Sequence, residues 1–206
     1  MHNRTLLITG CARSGTTYIA TVLQTVGLDV GHAYVGADGT VSHWFAGDVV
    51  HPVIPRKVPT GRCIHVGERR DEFEFEKVWH QTRNPLDIVA SSVAAGSPTV
   101  EMFRASGATM PRLSARTPVV LAMRYILAWS AKCEAIAEWR YRIEDIDDVW
   151  PEMLSRLGFP PEPLPSVSRT LNESGRPVSL TYEQLHRADP ESADRMYALA
   201  ARYGYE

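Results

Sequence analysis

Two short stretches of this chain gather the residue types that grip anions. The first runs from Gly10 to Thr17 and reads GCARSGTT. Two glycines permit close backbone approach, and the amides from about Ser14 to Thr17 can point at an anion at the start of the next helix. Thr16 and Thr17 add hydroxyl donors, and Arg13 adds a planar fork suited to two anionic oxygens. The second stretch is Arg83, Asn84 and Pro85, followed by Asp87 and Ser91. Arg83 falls at the end of a candidate strand, and Ser91 lies nearly two turns into the segment that follows. A nucleotide-hydrolysing or kinase loop of the first type needs lysine where Thr16 stands, and an acid on a neighbouring strand to help hold Mg²⁺. The run before Arg83 ends His80-Gln81-Thr82, without an acid, and Cys63–Val66 offers none. The first loop therefore suits a phosphate gripped without a metal.

The elements that must position these residues follow from periodicity. Thr5–Thr9 is a short apolar run ending at Gly10, a buried strand feeding a turn. Ile19, Val22, Leu23 and Val26 then recur at helical spacing, and Gly27 closes the helix. Cys63–Val66, Val78–Gln81 and Tyr141–Glu144 are further strand candidates, and the charged GERRDEFEFE segment reads as exposed. Asn84 can cap a helix, Pro85 suits its first position, and Asp87 favours its positive end. Long helical spacing runs from Pro118 to about Trp139, and again from Trp150 to Leu157. Two short helices, broken near Asp189-Pro190, close the chain. Residues 28–62 are less legible, with a turn at Asp38-Gly39 and a short helix near Val41–Val50. Strands alternating with helices predict an α/β fold, a mainly parallel central sheet with helices on both faces.

Composition narrows the classes. The chain has 206 residues, a hydrophobic fraction of 44%, a charged fraction of 22% and a net charge of −2. This is ordinary globular composition and predicts a single domain, with no reason to expect a nucleic-acid partner. Cys11, Cys63 and Cys133 fit no zinc or disulfide spacing, which suits a reducing cytoplasm. The apolar stretch before Gly10 is too short for a signal peptide or a membrane span.

GCARSGTTYIA resembles the 5′-phosphate loop of the sulfotransferase family, whose members use 3′-phosphoadenosine 5′-phosphosulfate (PAPS). That loop carries lysine or arginine, then serine or threonine, then Gly-Thr-Thr. Arg13, Ser14, Gly15, Thr16 and Thr17 match it one by one. The family's second signature is Arg-Asn-Pro with an acid and then a serine, matched by Arg83, Asn84, Pro85, Asp87 and Ser91. In the family that arginine and serine hold the 3′-phosphate. Tyr18 stands where the family has an aromatic near the adenine, while Ile143 replaces the aromatic expected in the strand ending Glu144-Asp145. The family's basic, glycine-rich C-terminal clamp has no clear counterpart; Arg169 or Arg176 comes nearest. Gly31, His32, Asp38, Gly39, Ser42 and Trp44 also resemble a segment of small bacterial sulfotransferase-like proteins, with Ala33 in place of the usual glutamate.

The resemblance implies a P-loop-type three-layer sandwich and metal-independent, in-line transfer of a sulfuryl group from PAPS to a hydroxyl or amine of a small acceptor, leaving 3′-phosphoadenosine 5′-phosphate (PAP). Arg13 would stabilise the leaving phosphate. His65 is the first choice for general base and Glu68 the second, with His32 and His43 as weaker candidates. The rival expectations are a P-loop kinase or nucleotide hydrolase, and a non-catalytic module that binds a phosphorylated nucleotide. The acceptor and the oligomeric state are not legible.

Overall fold

A computed structural model describes residues 2–32, 34–42, 72–96, 103, 106–108, 117–168 and 180–205. Among them, five strands form one parallel sheet in the order β2-β3-β1-β4-β5. The strands are β1 (His2–Thr9), β2 (Val30–His32), β3 (Gly39–Val41), β4 (Phe73–Thr82) and β5 (Trp139–Arg142). The helices are α1 (Thr16–Thr25), α2 (Pro85–Ala94), α3 (Thr117–Ile136), α4 (Ile146–Leu157), α5 (Tyr182–Ala188) and α6 (Pro190–Arg202). The predicted α/β class and the helices on both faces are what the structure has.

Side chains alternate across β1, and this divides the core in two. Leu6 and Ile8 pack with Ile19, Val22 and Leu23 of α1 and with Trp150, Met153 and Leu154 of α4. Leu7 faces the other way, toward Ile88 and Val89 of α2, Met123, Ile126 and Trp129 of α3, and Met196 and Leu199 of α6. Burying several such side chains on each face contributes roughly 1.5–3 kcal/mol apiece relative to exposure. This is what fixes the strand ends, and hence the loops that follow them.

Three expectations change. Residues 28–42 hold two short strands, β2 and β3, where the sequence suggested only a turn and then a helix beginning near Val41. Three-residue strands are too short to show a period, and Val41 ends β3. The end of the stretch read as charged and exposed, from Phe73 onward, opens β4. Phe73 is buried and Phe75 half-buried while Glu74 and Glu76 are exposed, so the alternation is that of a strand with one wet face. The strand expected at Tyr141–Glu144 lies two residues earlier: β5 runs from Trp139 to Arg142, and residues 143–145 form one 3₁₀ turn. The strand candidate Cys63–Val66 lies outside the described residues.

The local signals around the second stretch hold. Asn84 caps α2, its Oδ1 accepting from Leu86 N at 3.0 Å, with Pro85 at the first position and Asp87 in the first turn. Asp189 likewise starts α6, with Pro190 at its first position, so the chain turns from α5 into α6 there. Among the described residues, no helix is long and apolar enough to cross a membrane.

Candidate functional site

The site lies where β1, β4 and β5 end, the edge at which open parallel sheets present their loops. Gly10 leaves β1 pressed against β4. A Cβ on Gly10 would sit 2.4 Å from the Gln81 carbonyl oxygen, so no side chain fits. The chain then turns tightly, Ser14 N donating to Cys11 O at 3.1 Å. Arg13 adopts a positive φ of 74° and Gly15 one of 90°. Alternating left-handed residues in a loop of this kind turn successive amides toward one concave side. Gly15 caps α1, and among the described residues no side chain caps the helix there; its first turn carries no acid. The amides at the start of α1 therefore keep their partial positive charge for an incoming anion.

The loop is held from beneath by buried polar groups. Gln81 Nε2 donates to Ser14 O at 2.6 Å, and Tyr141 OH donates to Gln81 Oε1 at 2.8 Å. From the opposite face, Ala12 N donates to Tyr125 OH at 3.4 Å. Gln81 lies near the end of β4, beside the loop, where metal-dependent phosphoryl transfer would call for an acid on a neighbouring strand. Its amide braces the loop instead.

Arg13 reaches across to the second stretch. Its Nε donates to Ser91 Oγ at 3.0 Å, and Arg83 Nη1 donates to Arg13 O at 3.2 Å. Thus Arg13, Arg83 and Ser91, predicted from two separate signatures, meet in one place and are all partly exposed. Burial and the positive charge of Arg83 both push the Arg13 guanidinium below its ordinary pKa. Two guanidiniums this close repel, and a multiply charged anion between them would remove that penalty.

The remaining candidates fall as follows. Thr16, in the lysine slot, is buried, and Thr17 is half-buried. Their hydroxyls lie 3.2 and 3.3 Å from His32 Nε2 at the end of β2. The Ser14 side chain is fully buried, and its Oγ has no hydrogen-bond partner among the described residues. Tyr18 packs in the α1–α4 core with only 6% of its surface exposed. Ile143 lies against Gly15, 3.2 Å from where a Cβ would be. His65, Glu68, His43, Trp44, Arg169 and Arg176 lie outside the described residues. Cys11 flanks the loop, but burial pushes its thiol up to about 12, so it is protonated and inert near neutral pH.

Sequence reasoning missed two supports. Gln81 shows only as a polar residue ending a buried strand, a weak signal. The other is a latch over the start of α2. Glu144 Oε1 accepts from Asn84 N at 3.0 Å, while Tyr205 OH donates to Glu144 Oε2 at 2.7 Å. Arg142 pairs with Asp145 and donates to Gly204 O. The C-terminal residues are thereby tied to the strand end beside Arg83.

Fold and site together define an α/β protein with a glycine-bounded loop and a second basic segment at the carboxyl edge of a parallel sheet. No protein-family model and no curated protein matches the chain. Among solved structures it is similar to a sulfotransferase domain from the curacin biosynthetic pathway, with 13% identity, 100% of this chain and 99% of that chain covered, and a TM-score of 0.50. At that identity the likeness is one of fold, and the chain has a sulfotransferase-like fold.

Proposed function

We propose that this protein is a sulfotransferase that takes a sulfuryl group from PAPS and passes it to a hydroxyl or amine of a small acceptor. The observation that carries the reading is the 3.0 Å contact from Arg13 Nε to Ser91 Oγ, with Arg83 bound to the Arg13 carbonyl. Side chains of both signature segments meet there, which supports a single ligand with two phosphates. The donor set fits such a ligand: two guanidiniums, hydroxyls, and a helix start whose amides no side chain caps. When bound, PAPS supplies the activated sulfuryl group.

In this reading the α1 amides, Thr16, Thr17 and Arg13 hold the 5′-phosphate and the charge that grows on it as the leaving group departs. Arg83 and Ser91 hold the 3′-phosphate and so set the register of the nucleotide. Gln81 and Tyr141 keep the loop in its receptive shape. His65 or Glu68 would take the acceptor's proton. A cytoplasmic setting and a small-molecule acceptor belong to the same proposal.

Calorimetric titration without metal tests it. PAP binds tightly while AMP and ATP bind weakly, and Arg83→Ala abolishes the preference for PAP. Metal-dependent ATP binding with no PAP preference would overturn the reading in favour of a kinase or hydrolase. With labelled PAPS and a panel of acceptors, Arg13→Ala lowers turnover by about 2–4 kcal/mol of transition-state stabilisation, the usual effect of removing an oxyanion donor. Loss of turnover in His65→Ala or in Glu68→Ala, with PAP binding intact, decides which is the base.

A further inference from the structure

His32 ends β2, which pairs with β3 rather than with β1, yet its ring reaches back over the start of α1. One nitrogen, Nε2, sits 3.2 Å from Thr16 Oγ1 and 3.3 Å from Thr17 Oγ1. Both hydroxyls belong to the loop that the proposed function assigns to the 5′-phosphate, and the present inference rests on that assignment. A threonine hydroxyl has a single hydrogen and two lone pairs. A phosphate offers only lone pairs, so a hydroxyl helps bind it only by pointing its hydrogen at it. If Nε2 carries no proton, it draws a hydroxyl hydrogen to itself, and that hydroxyl then shows the anion a lone pair. If Nε2 carries the proton, it donates to the hydroxyl oxygens, one N–H shared between two acceptors, and neither hydroxyl spends its hydrogen on the ring. The position of one proton on His32 thus decides whether the ring takes a hydrogen from the loop hydroxyls or leaves them theirs.

We propose that His32 is a positioning residue that donates from Nε2 to Thr16 and Thr17 and so aims their hydroxyl hydrogens at the 5′-phosphate. His32 touches the threonines, and acts on the nucleotide through them. A purely structural His32 would need only to fill its space. A donor His32 can be replaced by glutamine, whose amide carries hydrogens to a similar reach, and not by leucine.

The test compares wild type, His32→Gln and His32→Leu by calorimetry with PAP, AMP and inorganic pyrophosphate, alongside thermal melts. Leucine weakens all three ligands about tenfold or more, glutamine recovers most of the loss, and the melting temperatures stay close together. Because the effect sits at the 5′ end, the ratio of PAP to AMP affinity does not change. Nitrogen NMR of the histidine ring in the PAP or pyrophosphate complex finds Nε2 protonated. A folded leucine variant that binds like wild type overturns the inference. So does a glutamine variant as weak as leucine, or an unprotonated Nε2 in the complex. Wild type that binds pyrophosphate but not PAP would remove the nucleotide assignment and leave His32 tested on pyrophosphate. Wild type that binds neither removes both.

Discussion

The two halves of the site are fastened in opposite ways. The first loop is braced from inside the fold, by Gln81 and Tyr141 on one face of the sheet and Tyr125 on the other, all in buried hydrogen bonds. The start of α2 is latched from outside, by Glu144 and Tyr205, in hydrogen bonds open to water. A buried bond that loses one partner leaves the other unsatisfied, at about 1–3 kcal/mol, whereas water replaces an exposed partner at little cost. The geometry of the first loop is therefore inseparable from folding stability. That of the second can change while the protein stays folded.

The largest effect expected is at Gly10. A methyl group there collides with the Gln81 carbonyl, so Gly10→Ala forces β1 and β4 apart and destabilises the protein by about 3 kcal/mol or more in denaturant melts. A variant as stable as wild type would mean that the loop is not wedged against β4.

His80, next to Gln81, tests the buried side by pH. It is 2% exposed, its Nδ1 has no hydrogen-bond partner among the described residues, and burial lowers its pKa to about 4, with Glu134 opposing and Arg140 reinforcing the shift. The folded pKa lies below the unfolded value of about 6.5, so the unfolded chain takes up the proton first as pH falls. The neutral ring's contribution is intact above pH ~6.5 and is lost between there and about pH 4, on the order of 3 kcal/mol. Denaturation at pH 7 and at pH 4.5 shows this slope, and His80→Leu flattens it.

Gln81→Leu strips the brace from Ser14 O and from the Tyr141 hydroxyl together. It lowers stability by about 2 kcal/mol and weakens PAP and AMP alike. An unchanged melt would place Gln81 outside the brace. The smallest effect on stability belongs to the outer latch. Tyr205→Phe shifts the melt by no more than about 0.5 kcal/mol, but it loosens Glu144 and with it the start of α2. The expected readout is a several-fold fall in the preference for PAP over AMP, and equal preference in wild type and variant would detach the C-terminus from the site.

What could be read from the sequence was local. The strand, glycine-bounded loop and helix over residues 5–27 declare themselves within one window, as do the Asn84-Pro85 helix start and the break at Asp189-Pro190. Arg13, Arg83 and Ser91 were legible as anion-binding types, and the fold is what brings them together. The distant supports were not legible. Gln81 meets Ser14 across 67 positions and Glu144 meets Tyr205 across 61, and no spacing rule connects such residues. β2 and β3 were missed because three residues carry no period, and the first half of β4 because its glutamates masked the alternation of Phe73 and Phe75.

Arg13 holds its backbone at a φ of +74°, a conformation that disfavours any residue with a Cβ by roughly 1 kcal/mol relative to glycine. A laboratory campaign that rewarded heat resistance alone would drift toward Arg13→Gly, easing the turn and silencing the guanidinium in the same step. Gains in robustness at this position and loss of ligand would travel together, so libraries built for hardiness should leave codon 13 untouched.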